Sequence, residues 1–177
     1  MTVVRTARLV GTPITHEDGP LLAGLLTDPR VAATLGGVPS EEQLDETVTR
    51  QAAHWSAHGF GCWMWRDART GSVVARGGLG LVVVGRRADV EVSWAVDAEH
   101  WGEGLGSELG EAAVAQAFGP LDVDELAAFT LPGNFASRRI MAKLAFVRQD
   151  EHVVKAGLDH LVYRRRRPRE APTGELA

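Results

Sequence analysis

Apolar positions along this chain recur with two different periods. Leu21, Leu22, Leu25 and Leu26 fall at helical spacing. Leu44, Val48, Ala52 and Trp55 sit at i, i+4, i+8 and i+11, one stripe of a further helix. The punctuation agrees. Thr15 with Asp18 reads as an N-cap with an acidic first turn, and Asp28-Pro29 ends the first helix, because a residue before proline avoids the α region. A brief turn or helix runs on to Gly36-Gly37. Ser40 with Gln43 makes a capping box, and Gly59 closes the helix it opens.

The period then drops to two. Segment 6–13 is already a short strand, and Phe60–Arg66 and Ser72–Val83 flank a turn at Asp67–Gly71, as in a hairpin. After a polar turn at Arg86–Asp89, the stretch Asp89–Asp97 alternates strictly. Val90, Val92, Trp94 and Val96 face one way; Asp89, Glu91, Ser93 and Ala95 face the other. A helix with Leu105, Leu109, Ala112, Ala113 and Ala117 inside ends at Gly119-Pro120. Leu126–Leu131 is a strand, Asn134 caps a helix carrying Ile140 and Leu144, and strands Phe146–Lys155 and His160–Arg165 close the order around a turn at Ala156–Asp159. A strand, helix and strand over about 89–131 require a parallel pair with a right-handed crossover. The other strands are hairpin-joined, so the class is α/β with a mixed sheet.

Composition narrows the function classes. A chain of 177 residues fits one domain, expected over 1–167, with 168–177 as a disordered tail. The single cysteine, Cys62, excludes an intrachain disulfide and a multi-cysteine zinc site, and the scattered histidines suggest no metal. The absence of a long apolar run or signal-peptide pattern points to a cytoplasmic protein. The formal charge of −4 is uneven. Residues 164–177 hold five arginines and two glutamates, against 14 basic and 21 acidic residues before them. An acidic body argues against nucleic acid. The arginine run reads as a strand end entering a solvated tail rather than as a membrane or nucleic-acid patch.

The strongest local signal is Trp101-Gly102-Glu103-Gly104-Leu105-Gly106-Ser107, between a strand end and a helix start. Glycines let a ligand approach backbone N–H groups, and a helix N-terminus leaves such groups unpaired and partly positive. Together they suit a phosphate or pyrophosphate; a tight turn without a ligand is the plain alternative. No lysine follows in the Walker A position, and the dinucleotide spacing fails at Ser107 and Leu109.

This loop resembles the pyrophosphate loop, Q/R-x-x-G-x-G/A, of the GNAT acyltransferases, with Trp101 in the first position. The resemblance extends along the chain. Asp89–Trp101 (DVEVSWAVDAEHW), Asn134–Val147 (NFASRRIMAKLAFV), Trp55–Leu81 and Thr6–Ile14 each resemble segments of the branch containing ribosomal-protein alanine acetyltransferases (RimJ/RimL-like). It implies the GNAT fold: a mostly antiparallel sheet with a splayed central parallel pair, flanked by helices. It also implies acetyl-CoA as co-substrate. Its pantetheine arm would pair with the strand ending Ala95-Val96. The N–H groups of Gly102, Glu103, Gly104, Leu105, Gly106 and Ser107, next to Trp101, would hold the pyrophosphate. Asn134 and Ser137 would touch the lower arm, although Asn134 is also a plain N-cap.

Acyl transfer to an amine needs a proton acceptor, an oxyanion donor and a leaving thiolate. The Val96 N–H suits the oxyanion. Glu91 matches the branch's glutamate and is the candidate base, provided a bulge or an open sheet edge lets it reach the substrate. His54 and His58, placed by the resemblance near the groove entrance, suit a proton relay. The acid is in question, because Met141 stands where many GNAT enzymes carry tyrosine, and Tyr163 is expected to pack in the sheet. Trp55, Trp63, Trp65, Trp94 and Cys62 read as core. The expected activity is N-acetylation of a small-molecule or peptide amine, without nucleic-acid or membrane partners and with a homodimer left open. The alternatives are a CoA-binding sensor without turnover and a dinucleotide-binding module. Segments 29–40 and 155–160 would set acceptor choice. Glu17, Asp18, Glu41, Glu42 and Asp159 would draw a cationic acceptor towards the mouth.

Overall fold

The computed structural model describes residues 2–84 and 87–168, with the backbone alone at Val84. The first strands are β1 (Val4–Arg5) and β2 (Leu9–Pro13), followed by helix α1 (Gly19–Thr27), which buries Leu22, Leu25 and Leu26. Asp28 breaks the chain and caps the next helix, α2 (Pro29–Leu35), by accepting from the Arg30 N–H at 2.8 Å. The segment read as a turn or helix is therefore a helix, stopped by Gly36 at φ 106°. Helix α3 (Glu41–His58) opens on the expected reciprocal bonds between Ser40 and Gln43, buries Leu44, Val48 and Trp55, and stops at left-handed Gly59.

Next come β3 (Cys62–Asp67), β4 (Val73–Val84), β5 (Arg87–Val96), α4 (Leu105–Phe118), β6 (Glu125–Thr130), α5 (Phe135–Lys143), β7 (Val147–Lys155) and β8 (Leu158–Arg166). The turn expected at Arg86–Asp89 begins outside the described residues, and Asp89 is already within β5. Of the expected tail, only Pro168 is described. The eight strands form a sheet in the order β1-β2-β3-β4-β5-β6-β8-β7, antiparallel except for β5 with β6.

Helices cover both faces. Leu109, Ala113 and Ala117 of α4 and Met141 of α5 pack on one side against Trp63, Trp65 and Val92. On the other side, Leu22, Val31 and Val48 pack against Met64 and Ala95. The alternation along β5 thus serves two cores: Val90, Val92, Trp94 and Val96 belong to the α4 side and Ala95 to the opposite side. Trp55 meets Trp63 edge-to-face and Trp63 meets Trp65 at a tilt, with ring centroids 5.3 and 6.0 Å apart. No described helix is long and apolar enough to cross a membrane.

The arginine run begins as the expected strand end, with Arg164–Arg166 in β8, and its side chains are engaged with neighbouring groups. Arg164 pairs with buried Asp89 at 3.0 Å and with Glu151 at 2.9 Å. Arg165 donates to the Leu144 carbonyl and lies over the Phe118 ring. Arg166 meets Glu125, and Arg167 meets Asp122 and the Val123 carbonyl. These residues fasten β8 to its neighbours. The β7–β8 turn is also tighter than expected, because Ala156 and Gly157 both have positive φ, 51° and 76°, as a two-residue hairpin turn demands. The tip of this hairpin rests on the end of α2, where Leu158 occupies the space a side chain at Gly36 would need.

Candidate active site

The parallel ladder between β5 and β6 is very short. Val90 pairs with Leu126 and Glu91 with Ala127, and there the pairing ends. Beyond Glu91 the two strands part. A cavity of about 160 Å³ occupies the opening, lined by Glu91, Ser93, Phe129, Met141, Lys155 and His160 among others. The open edge that Glu91 required is therefore present at Glu91 itself.

Backbone groups face this opening. The Asp97 N–H donates to the Val74 carbonyl at 2.8 Å across β4–β5. Antiparallel pairs alternate, so Val96, Trp94 and Val92 turn their N–H and C=O groups the other way, into the gap. The Val96 carbonyl accepts there from the Trp101 indole N–H at 2.8 Å. Ala95 departs from expectation. Its place opposite Arg76 in the register turns its polar groups towards β4, and its side chain is buried with Ile14 and Met64. The edge that a pantetheine arm could pair with consists of Val92, Trp94 and Val96.

The three glycines of the loop have different reasons. Gly102 and Gly104 adopt φ of 85° and 84°, and Gly104 is the residue preceding α4. Gly106 is needed for packing: a Cβ there would stand 2.7 Å from Ile140 Cδ1 of α5. The amides of Leu105 and Gly106, at the first helical positions, lack intrahelical acceptors. Ser107 is different, since its N–H already donates to the Gly104 carbonyl at 3.1 Å. The Trp101 N–H donates to the Ala98 carbonyl. The anion-ready amides are thus those of Gly102, Glu103, Gly104, Leu105 and Gly106.

Arg8 fastens this loop. Its Nη1 donates to the Glu103 carbonyl at 2.9 Å and its Nε to Glu108 at 2.7 Å. Glu108, in the first turn of α4, also accepts from the Thr6 hydroxyl at 2.6 Å and the Arg8 N–H at 2.8 Å. Burial pushes the Glu108 carboxyl up. The hydrogen bonds from Thr6 and Arg8, with the guanidinium charge, outweigh it and hold the carboxyl below its usual value. Arg8 lies inside the motif Thr6–Ile14, yet this role escaped the sequence reading because its partners lie 95 and 100 residues away.

Asn134 and Ser137 line the cavity. Asn134 caps α5 by accepting from the Ser137 N–H at 3.0 Å, and its amide donates to the Thr34 carbonyl of α2 at 3.2 Å. Met141 also lines the cavity, whereas Tyr163 is buried in the sheet and its hydroxyl accepts from Arg138. Glu91 is paired: Lys155 Nζ donates to it at 2.8 Å while lying 4.5 Å above the Phe129 ring.

His160 lines the same cavity and was not singled out from sequence. Its Nδ1 lies 2.9 Å from the Leu158 carbonyl. A carbonyl only accepts, so Nδ1 carries the hydrogen and Nε2 of the neutral ring holds a lone pair. His54 does not stand at the entrance. Its Nδ1 meets the Phe60 carbonyl at 2.8 Å, its Nε2 accepts from the Leu81 N–H at 3.1 Å, and neither His54 nor His58 lines the cavity. The proposed acidic mouth is also absent from the lining: Asp159 pairs with His152, Asp18 with Arg66, and Glu41 and Glu42 line a separate groove on α3.

The sequence profile described as acetyltransferase (GNAT) domain matches residues 8–147. The uncharacterized protein YkkB of Bacillus subtilis (strain 168) is 28% identical over 129 residues, 72% of this chain and 75% of that protein. An acetyltransferase from Agrobacterium tumefaciens str. C58 shares the fold with a TM-score of 0.83 at 23% identity, over 94% of this chain and 95% of its own. Aminoglycoside acetyltransferase AAC(6')-Ib, solved in complex with coenzyme A, shares it with a TM-score of 0.71 at 18% identity, over 90% and 95%.

Proposed function

The chain belongs to the GNAT acetyltransferase family, and from that premise we propose that it acetylates a primary amine within the gap between β5 and β6. Acetyl-CoA is the acetyl donor of this family and supplies an acetyl thioester with a thiolate leaving group. The residues present fit it: two glycines with positive φ and the open N-terminus of α4 stand beside a strand edge facing the gap.

In this reading the amides from Gly102 to Gly106 receive the pyrophosphate, and Val92, Trp94 and Val96 pair with the arm. Val96, expected as the oxyanion donor, lies five residues beyond Glu91 beside the loop and outside the cavity lining, so the gap-facing N–H groups of Val92 and Trp94, which line the cavity, donate to oxygen charge that develops at the reacting carbonyl. The acceptor enters from the side of Lys155 and His160. His160 Nε2 takes the proton of the amine, directly or through Glu91, and the Glu91–Lys155 pair fixes the hairpin over the site. Met141 offers no proton, so the thiolate leaves unaided or through water; its moderate basicity allows this.

One observation carries the proposal: the parallel ladder ends at Glu91 and opens onto a polar cavity. The likeness of Asp89–Trp101 and Asn134–Val147 to ribosomal-protein alanine acetyltransferases supports a protein N-terminus as one acceptor. Met141 supports a second reading, a CoA-binding domain without turnover. Thiol release from acetyl-CoA over a panel of amines separates the two. Release above hydrolysis with at least one amine is expected. No release with any amine, while CoA still raises the melting temperature, would leave the binding domain as the account.

A further inference from the structure

We propose that the acceptor is a small molecule with a carboxylate beside its reactive amine, in preference to a protein N-terminus, whose neighbouring carboxyl is tied up in a peptide bond, and that Arg76 of β4 receives the carboxylate. This rests on reading the cavity as the acceptor site. Arg76 lines that cavity. Its register with Ala95 places it on the sheet face shared by Ser93 and Glu91, whose β4 partners are Gly78 and Gly80.

Among the described residues the guanidinium of Arg76 lacks a counter-charge. Its Nη1 donates to the Ser93 hydroxyl at 3.3 Å, and its Nε is shielded from solvent without an acceptor. Among the described residues no carboxylate pairs with it. Glu91 is the carboxylate lining the cavity, and Lys155 holds it at 2.8 Å. His160 commits its Nδ1 hydrogen to a carbonyl. The cavity therefore sets two full cations against one anion.

A cation with a shielded, unbonded N–H is costly unless an anionic oxygen completes it. Guanidinium matches carboxylate through its planar fork. One uncompensated cation balances one negative charge, which a carboxylate supplies and which a phosphate, at about −1.5 to −2, exceeds. The same positive surroundings disfavour an ammonium and so favour the free amine that attacks. A zwitterionic, amino-acid-like acceptor enters without net charge, whereas a polycationic amine is repelled.

The test is thiol release from acetyl-CoA with free amino acids, their amides, their decarboxylated amines and a phosphate-bearing amine. For the preferred acceptor, kcat/KM is expected to exceed that of its amide by about tenfold or more, the scale of one charge-assisted hydrogen bond. Arg76→Gln should raise KM for that acid about 10- to 100-fold. It should leave KM for acetyl-CoA unchanged and affect the amide far less than the acid, and Arg76→Lys should recover part of the loss. Amides or the phosphate-bearing amine matching the acid in wild type would overturn the inference while N-acetylation stands. So would an Arg76→Gln loss that falls equally on acid and amide. Absence of turnover with every amine while CoA binds would overturn both.

Discussion

Lys155 places its ammonium 2.8 Å from the Glu91 carboxylate, joining the last hairpin to the residue where the parallel strands part. Two elements 64 residues apart thereby define one end of the cavity. In the proposed function Glu91 anchors the hairpin through Lys155 and relays a proton. Glu91→Gln is expected to lower kcat by about tenfold or more, with KM for acetyl-CoA unchanged, in steady-state thiol-release kinetics. An unaltered kcat and an unaltered pH–rate profile would remove Glu91 from proton transfer.

His160→Gln is expected to lower kcat by about 100-fold, because glutamine keeps the size but offers no ring nitrogen lone pair. His54→Gln should instead lower stability with kcat retained, since His54 bridges the Phe60 carbonyl and the Leu81 N–H away from the cavity. Thermal denaturation beside kinetics checks both variants. A kinetic loss confined to His54→Gln would reverse the assignment.

The loop glycines predict opposite phenotypes. At Gly104 a Cβ meets nothing closer than Arg8 Nη2 at 3.7 Å, but φ is 84°. Gly104→Val should therefore abolish the CoA-induced rise in melting temperature while the free protein stays folded. Gly106→Val places its side chain into Ile140 and should lower the melting temperature of the free protein itself. Calorimetry with and without CoA reads both effects.

The Arg8–Glu108 clamp predicts an acid-sensitive loop. The Glu108 carboxyl is held below its ordinary value in the folded protein. Its stabilisation is therefore complete above the unfolded value of about 4.3 and is lost as pH falls through the lower folded value. Glu108→Gln should flatten that part of the stability–pH curve, and Arg8→Ala should weaken CoA binding at neutral pH. Denaturant melts between pH 2 and 6 and CoA titrations provide the readouts.

Local features were the most legible in the sequence. The Ser40–Gln43 box, the break at Asp28-Pro29, the Asn134 cap and the two-faced alternation of β5 all depend on residues a few positions apart, and each is present. Pairing across the fold was not legible. Nothing near Lys155 in sequence announces Glu91, and nothing near Arg8 announces Glu108. The direction of the backbone at Ala95 depends on the β4 register rather than on residue type. Motif spacing does not announce that Gly106 also serves the close packing of α4 on Ile140 of α5. The arginine run is legible as a strand end, but its acidic partners are not, because they lie elsewhere in the chain.

A crystal structure with bound CoA tests the central claim most directly. The account predicts the pyrophosphate on the amides between Gly102 and Gly106, the arm along Val92, Trp94 and Val96, and the sulfur in the opening beside Glu91 and His160. CoA bound away from the α4 N-terminus, or a sulfur emerging outside the β5–β6 gap, would contradict it.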